Sequence, residues 1–331
     1  MKMKHYISAI ILATTLVANC LAVDPQFSQF SAAKLYLSPS FAGSSGGGRL
    51  IMNVRDQWSK LPGTFLTYSA SYDHYIEKYR SGVGVLVMKD DAGHGLISTT
   101  TLGLQYSYNF DINRQWRVRP GLHFYYRYRN IDFNKLQFSD QIGFDYIAPS
   151  SIENSPMESV GSFDASSSVL VYSDNIWIGT TIDHLMSMSQ TLVNEIGYLP
   201  LRYSVYGGSK YMINQRTILN KEESFSGAFH YLHQDQYNYL DIGAYYINSP
   251  LMIGLWYRGL PVFRKNPNAG AVSIHAGYRF ENLSLQYSYD FTTSRLITKT
   301  GGAHEISLTY LISNEGSTRR RSHKMVPCPE F

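Results

Sequence analysis

The sequence predicts an all-β fold, an outer-membrane β-barrel of about fourteen antiparallel strands that cross the bilayer. Residues 283–291, LSLQYSYDF, place Leu, Tyr and Phe on one side of a strand and Ser, Gln and Asp on the other. Residues 102–110, LGLQYSYNF, repeat this two-faced pattern with only two substitutions. The chain of 331 residues also has 27 Tyr and only 16% charged residues, and aromatic side chains collect at both membrane interfaces of such barrels.

The same alternation occurs in soluble β-sandwiches, so the direction of the apolar face has to be argued separately. In a sandwich the apolar face points inward and is largely aliphatic, whereas in a membrane barrel it points into lipid. Consecutive Tyr residues near the strand ends favour the barrel. No run of eighteen or more apolar residues follows the N-terminus, which excludes a helical span and leaves a barrel as the membrane fold.

The N-terminus has the pattern of an export signal, and we assign residues 1–22 to a signal peptide. Two early lysines precede a short apolar run at 7–17, and Cys20-Leu21-Ala22 forms a small-x-small cleavage site before Val23. A lipoprotein signal is the alternative for Cys20, but Asn19 replaces the small residue that a lipobox requires. Cleavage would leave Cys328 as the single cysteine, so strand pairing rather than disulfides must hold the fold.

Residues 23–48 do not alternate and end in a Ser/Gly hinge, so we interpret them as a periplasmic lead-in. The barrel itself is predicted over residues 49–313 as a single domain. Its predicted strands are 49–55, 66–73, 83–87, 102–110, 122–129, 167–172, 176–180, 201–212, 226–233, 240–247, 251–259, 270–280, 283–291 and 303–312.

Two long irregular stretches interrupt the strands, at residues 130–160 and 183–200. Loops of this length are usually functional, and the long loops of outer-membrane barrels face outside. We expect short and long connections to alternate strictly, with both termini on the short-turn side. This arrangement places the predicted exported-partner surface outside the cell.

Residues 314–331 form a basic tail beyond the last predicted strand, which we expect in the periplasm. A charge run is usually a solvated end, but this one is set apart from the barrel and ends in Pro-Cys-Pro-Glu-Phe. We therefore assign it as a partner-docking segment. Its candidate docking residues are Arg319, Arg320, Arg321, Lys324, Cys328 and Phe331.

No catalytic, metal or cofactor motif emerges from the sequence. His230 and His233 are three positions apart, so on one strand they point to opposite faces and do not form a metal pair. Polar residues on predicted lumen faces could in principle assemble a barrel hydrolase, but nothing matches a nucleophile motif; they are His123, His275, Asp241 and Glu305. The net charge of +4, without a basic helix face or stacking motif, makes nucleic acid an unexpected partner.

Several stretches resemble the PorP/SprF-like outer-membrane proteins of the Bacteroidetes type IX secretion and gliding machinery. The most specific are the opening DPQFSQF at 24–30, the segment LSPSFAGS at 37–44 and the ending PCPEF at 327–331. Further matching stretches are Arg55-Asp56-Gln57-Trp58, Gly82-Val83-Gly84-Val85, Asp164-Ala165-Ser166, Trp177-Ile178-Gly179 and His184-Leu185. Ser38 and Ser40 depart from the residues that are more usual in the family.

This resemblance implies a non-enzymatic outer-membrane component that aids the export or surface attachment of a secreted protein or adhesin. The implied partners are outer-membrane lipid, periplasmic peptidoglycan-associated or lipoprotein components, and the exported cargo. The family supplies no catalytic residues and no cofactor. The main alternative is a passive porin or hydrophobic-solute transporter, because a barrel of this size could enclose a solute path; a barrel hydrolase is the third hypothesis.

Overall fold

The computed structural model describes residues 24–61, 63–93, 96–132, 135–136, 139–142, 159–186, 198–216, 221–235, 237–260, 270–293, 300–312 and 326–328. The predicted signal peptide lies outside these residues. No helix in the described part of the chain is long and apolar enough to cross a membrane. Its short helical turns are Lys34–Leu37, Pro39–Phe41, Glu77–Tyr79 and Ser139–Gln141.

The strands form one closed antiparallel sheet, which confirms the predicted barrel of fourteen long strands. They are β1 Gly48–Gln57, β2 Phe65–Ile76, β3 Ser81–Ala92, β4 Ile97–Tyr108, β5 Phe110–Asp111, β6 Arg117–Ile131, β7 Ser159–Tyr172, β8 Ile176–Asp183, β9 Arg202–Arg216, β10 Lys221–Gln234, β11 Tyr237–Asn248, β12 Leu251–Leu260, β13 Ala271–Phe280, β14 Leu283–Thr292 and β15 Ala303–Ile312. The two-residue β5 follows β4 along its partner β6. Pairing of β1 with β15 joins the two ends of the barrel sequence.

The apolar face of each strand points outward, as the alternation predicts for a barrel in lipid. On β4, Leu104 is 64% exposed while the adjacent Gln105 is 3% exposed. On β14, Leu285 is 51% exposed and Gln286 is 3% exposed. A soluble sandwich would reverse these values, so the observed pattern excludes it among the described strands.

The longest connections join strand ends at one end of the barrel, which we call the long-loop end. They span 132–158 and 184–201, together with 261–270 and 293–302. The predicted strict alternation of short and long connections is wrong, however. The connections 93–96 and 235–236 are short although they lie at the long-loop end, because turn length at each hairpin follows the local turn sequence.

Residues 24–44 lie inside the barrel, and we call this segment the N-terminal plug. Phe27, Phe30, Leu35, Leu37 and Phe41 are all buried. The prediction of a periplasmic lead-in is therefore wrong for these residues. The physical reason is that the segment carries apolar side chains that would be exposed to water in the periplasm, and the barrel interior buries them.

The C-terminal part also returns to the interior. After β15 ends at Ile312, the described residues Val326 and Cys328 are buried in the same apolar cluster as Phe30 and Phe41 of the plug. The expectation that the whole tail extends into the periplasm is thus wrong at residues 326–328. Apolar contacts inside the lumen again account for the difference.

Candidate functional site

The plug fills the lumen with aromatic contacts to the barrel wall. The ring of Phe41 lies 5.7 Å from that of Tyr206 and 6.3 Å from that of Trp177. Nearer the long-loop end, Phe30 packs edge-to-face on Trp256 with the ring centroids 4.8 Å apart. Both tryptophans are buried at lumen-facing positions. The interior is therefore a packed core in which each of these aromatic pairs joins one plug residue to one wall residue.

A second set of contacts ties the plug to β1, β14 and β15, where the two ends of the barrel sequence meet. The backbone N–H groups of Ser28 and Gln29 donate to the Glu305 carboxylate at 2.7 and 3.0 Å. Arg55 forms ion pairs with Glu305 at 3.0 Å and with Asp290 at 2.9 Å. Ser28 Oγ donates to Asp290 at 2.5 Å. These buried charges are paired and hydrogen-bonded, as burial requires.

The carboxylate of Asp24 is bound at the long-loop end by three cationic side chains. His184 Nε2 lies 2.6 Å from Asp24 Oδ2, Arg202 Nη1 lies 3.3 Å from the same oxygen, and Arg127 Nη1 lies 3.2 Å from Oδ1. His184 Nδ1 in turn lies 2.8 Å from Asp164. We call Arg127, His184 and Arg202 the Asp24 site.

The opposite end of the plug is fixed by backbone contacts. The carbonyl oxygen of Ala42 accepts hydrogen bonds from Ser107 Oγ at 2.8 Å and from Arg119 Nη2 at 2.9 Å. The N–H of Gly43 donates to Asp73 at 2.7 Å, and Asp73 also pairs with Arg49 at 2.9 Å. The polar wall residues therefore replace water for the backbone of the plug.

The charges at the Asp24 site shift two pKa values in opposite directions. Burial opposes ionisation of Asp24, but the charges of His184 and Arg127 outweigh it and hold the pKa of the carboxyl well below its ordinary value. Burial also opposes a charge on His184, but the Asp24 carboxylate and the hydrogen bond to Asp164 raise its pKa from 6.5 to about 9. His184 is therefore a cation at neutral pH.

We expect the stabilising effect of the His184 charge to disappear as the pH rises through about 9. Because folding raises the pKa of His184, its charge stabilises the folded state fully below pH 6.5, the unfolded-state pKa. This stabilisation is lost as the pH rises above the folded-state pKa. The difference in free energy of unfolding between wild type and His184→Gln should therefore decrease by roughly 3 kcal/mol between about pH 6 and about pH 10. Urea unfolding of the detergent-solubilised protein measures this difference.

The other groups facing His184 set the control for this measurement. They are Asp24, Asp164, Arg127 and Tyr125. Arg202 approaches the same oxygen of Asp24 as His184 and also pairs with Asp183. Asp24 has a lowered pKa, so its contribution is present above its ordinary pKa and is lost only as the pH falls below that value. An Asp24→Asn variant should thus weaken the alkaline dependence, while Asp164 remains as a partner of His184. A pH-independent effect of His184→Gln would contradict the assignment.

A glycine on β3 allows the plug to approach the wall. A Cβ atom at Gly82 would lie 1.9 Å from the carbonyl oxygen of Ala42 and 2.8 Å from Ser107 Oγ. We expect Gly82→Ala to separate the plug from the wall and to lower the free energy of unfolding by about 1–3 kcal/mol. Gly227→Ala is the matched control, because a Cβ there meets nothing within 4 Å. Urea unfolding and protease cleavage of the plug measure both variants; equal behaviour would contradict the prediction.

The predicted docking residues of the tail are not brought together by the described structure. Arg319, Arg320, Arg321, Lys324 and Phe331 lie outside the described residues. Cys328 is described, and it is buried in the lumen with 2% of its surface exposed. A partner could contact Cys328 only after that segment had left the lumen.

Three of the four polar residues predicted on lumen faces pair or hydrogen-bond with neighbours. The fourth, His123, packs on Tyr125 with the ring centroids 4.6 Å apart, and its buried Nε2 has no hydrogen-bond partner among the described residues. Glu305 binds the plug, Asp241 pairs with Arg258 at 3.5 Å, and His275 Nε2 lies 2.9 Å from Ser273 Oγ. His230 stacks on Phe30 with the ring centroids 5.9 Å apart. Within the described residues, no group of three or more His, Cys, Asp or Glu is arranged to hold a metal ion.

The fold and the filled lumen define the chain as an outer-membrane β-barrel whose own N-terminal segment occupies its interior. A family model described as type IX secretion system membrane protein PorP/SprF matches residues 20–310. The chain therefore belongs to the PorP/SprF family, as its sequence resemblance indicates. Among curated proteins, none matches the chain.

Among solved structures, the chain is similar to several bacterial barrels at low sequence identity. The outer membrane protein Omp33 of Acinetobacter baumannii is 8% identical with a TM-score of 0.43, over 80% of this chain and 98% of that one. The Pseudomonas putida toluene transporter TodX is 10% identical with a TM-score of 0.46, over 87% and 98%. The monoaromatic hydrocarbon channel CymD is 11% identical with a TM-score of 0.48, over 85% and 93%.

The stretches that carry the family resemblance lie against one another at the plug and the wall. DPQFSQF is the first part of the plug, and Arg55 of the RDQW stretch donates to Ser28. Gly82 and Gly84 face Ala42 and Leu35 of the plug. Sequence analysis identified these stretches but not their common role, which is to hold the N-terminal segment in the lumen.

Proposed function

We propose that this protein is a non-enzymatic outer-membrane component of the type IX secretion machinery that docks an exported protein or adhesin. In this role it aids export across the membrane or attachment at the cell surface. Membership of the PorP/SprF family supports the secretion role. The observation that carries the docking role is the lumen, which the plug and residues 326–328 occupy.

A passive transporter needs a solute path through the barrel, and the plug opposes one. Its aromatic side chains are buried against Trp177, Tyr206 and Trp256, and its polar groups are bonded to buried wall charges. Moving the plug would cost these contacts together, and a buried charge left unpaired costs several kcal/mol. Surfaces at the two barrel ends therefore offer the simpler route to function.

We assign the two ends to different partners. Long connections of outer-membrane barrels face outside, so the exported partner docks at the long-loop end. β1 begins and β15 ends at the opposite end, and we assign the basic tail, residues 314–331, to the partner on that side. The tail arginines Arg319, Arg320 and Arg321 provide charge for a periplasmic lipoprotein or peptidoglycan-associated component.

Affinity purification from cell envelopes tests both assignments. We expect the tagged full chain to recover periplasmic lipoproteins and an exported surface protein. Deletion of residues 317–331 should remove the periplasmic partners and leave the exported one. Recovery of neither class by the full chain would overturn the proposal, as would solute uptake by liposomes that contain the full chain.

The deletion also removes the lumen contacts of Val326 and Cys328, so a charge variant is needed as a control. Replacement of Arg319, Arg320 and Arg321 by Gln keeps the C-terminal segment while it removes the basic run. Loss of the periplasmic partners in this variant assigns docking to the charges. If the periplasmic partners are lost only in the deletion, docking is assigned to residues 326–328 instead.

A further inference from the structure

A small cavity between the plug and the barrel wall is lined by three cationic side chains. Lys34 of the plug, Arg49 of β1 and Arg279 of β13 all contribute to its lining. Arg49 follows the start of β1 and Arg279 precedes the end of β13, so the cavity lies at the end of the lumen away from the long loops. The other described lining residues are Ser31, Ile51, Thr309 and Leu311.

This lining is strongly cationic, since none of its described residues is acidic. Lys34 is 3% exposed and Arg49 is 1% exposed. Charges that are buried this deeply are stable only with opposite charges and hydrogen bonds beside them. The cavity is therefore an electrostatically favourable place for carboxylates.

One carboxylate already lies beside the cavity. Asp73 Oδ1 lies 2.9 Å from Arg49 Nε, and its Oδ2 accepts from Arg49 Nη2 at 3.0 Å and from the N–H of Gly43 at 2.7 Å. Both oxygens of Asp73 are thus engaged away from Lys34 and Arg279. A second carboxylate in the cavity would be attracted to these two cations, whatever other bonds they make.

The described C-terminal residues bring the chain close to this cavity. Cys328 is buried in the same apolar cluster as Phe30 and Tyr245. Ser31, which follows Phe30 in the plug, lines the cavity, and its Oγ lies 3.4 Å from the hydroxyl of Tyr245. The cluster that holds Cys328 and the cationic cavity therefore adjoin each other.

The sequence supplies a carboxylate at the right distance. Glu330 lies outside the described residues, but it follows Cys328 by two positions. Two residues span up to about 7 Å, and the glutamate side chain adds to this reach. The other acidic residue beyond β15 is Glu315, which is three positions from the end of that strand at Ile312 and thirteen before Cys328.

We propose that the cavity is a carboxylate-binding site that is occupied by Glu330 of the same chain, with Lys34 and Arg279 as its charged contacts. These contacts fasten the C-terminal segment to the plug and to the wall. The basic run at 319–321 is then tethered at both ends, by β15 and by Glu330, instead of at one. The inference holds whichever partner the basic run binds.

Thiol labelling of Cys328 tests this anchor. With Cys20→Ser, Cys328 is the single cysteine of the chain, and its burial protects it from maleimide. Labelling then requires local release of the segment. We expect Glu330→Gln to raise the labelling rate of the detergent-solubilised protein at least about ten-fold, which corresponds to about 1.4 kcal/mol of lost anchoring.

Glu315→Gln is the matched control, because it removes the same charge from the same tail. It should leave the labelling rate of Cys328 unchanged. Both positions lie beyond the last strand, so the barrel strands should remain intact, and circular dichroism verifies this. Equal labelling rates for wild type and Glu330→Gln would overturn the inference, as would equal increases in the two variants.

Exchange of the two charges tests the pairing itself. Arg279→Glu should speed the labelling of Cys328, because it places a second negative charge beside Glu330. Adding Glu330→Arg restores one charge of each sign, so the rate should fall back toward that of wild type. A double variant that is labelled at least as fast as Arg279→Glu alone would overturn the inference.

Discussion

Deletion of residues 24–44 is expected to convert a closed barrel into a conducting one. The plug fills the lumen, and barrels of about eight strands are filled by side chains whereas about sixteen leave an aqueous channel. A fourteen-stranded barrel without its plug therefore encloses water. In planar lipid bilayers, the variant should show stepwise ion conductance that the full chain lacks.

Two control proteins make this result interpretable. A chain that lacks only residues 326–331 tests the C-terminal segment and should conduct much less than the plug deletion, since fewer lumen contacts are lost. A protease site inserted at Gly46 allows the plug to be cut after folding and then removed with mild denaturant. Equal conductance of the full chain and both plug-free proteins would contradict the closed lumen.

Replacement of Arg55 by Met is expected to lower the free energy of unfolding by about 3–5 kcal/mol. Arg55 is buried, and its guanidinium pairs with Glu305 and Asp290, which are also buried. Methionine leaves these carboxylates with less positive charge in a site without bulk water, and it removes a donor to Ser28 of the plug. Urea unfolding of the detergent-solubilised protein measures the loss.

The matched control is Arg80→Met, which removes an arginine–aspartate pair at the surface. Arg80 lies 3.2 Å from Asp111, and its side chain is 57% exposed. Exposed pairs contribute about 0–1 kcal/mol, so this variant should be nearly as stable as wild type. Equal losses in the two variants would contradict the role of burial. Adding Glu305→Gln to Arg55→Met should recover part of the loss, because the unpaired charge is then absent.

The strands could be predicted from the sequence because their signal is local. Apolar and polar side chains alternate along each strand over about ten residues. A barrel satisfies both faces because its apolar side chains contact lipid and its polar side chains face the interior. Leu104 and Gln105 show this in two adjacent positions. The number of strands, their approximate positions and the outward apolar face all follow from such short stretches.

The plug could not be predicted in the same way because its contacts are long-range. Ser28 and Glu305, which bond directly, are 277 positions apart in the chain. The polar inner face of the strands is equally compatible with water or with a polypeptide, so alternation does not distinguish them. One signal was present: apart from Asp24 and Lys34, residues 24–44 carry no charge but many Ser and apolar residues, a composition suited to burial.

Arg55 and Glu305 face each other as cross-strand neighbours where the first strand meets the last. Ser28 contacts both of them, so a segment that precedes β1 in the chain bridges the seam between β1 and the much later strand β15. Pairing of β1 with β15 and insertion of the N-terminal plug therefore stabilise one another. Strand closure and plug insertion are thus expected to occur in one cooperative step when the full chain assembles in the membrane.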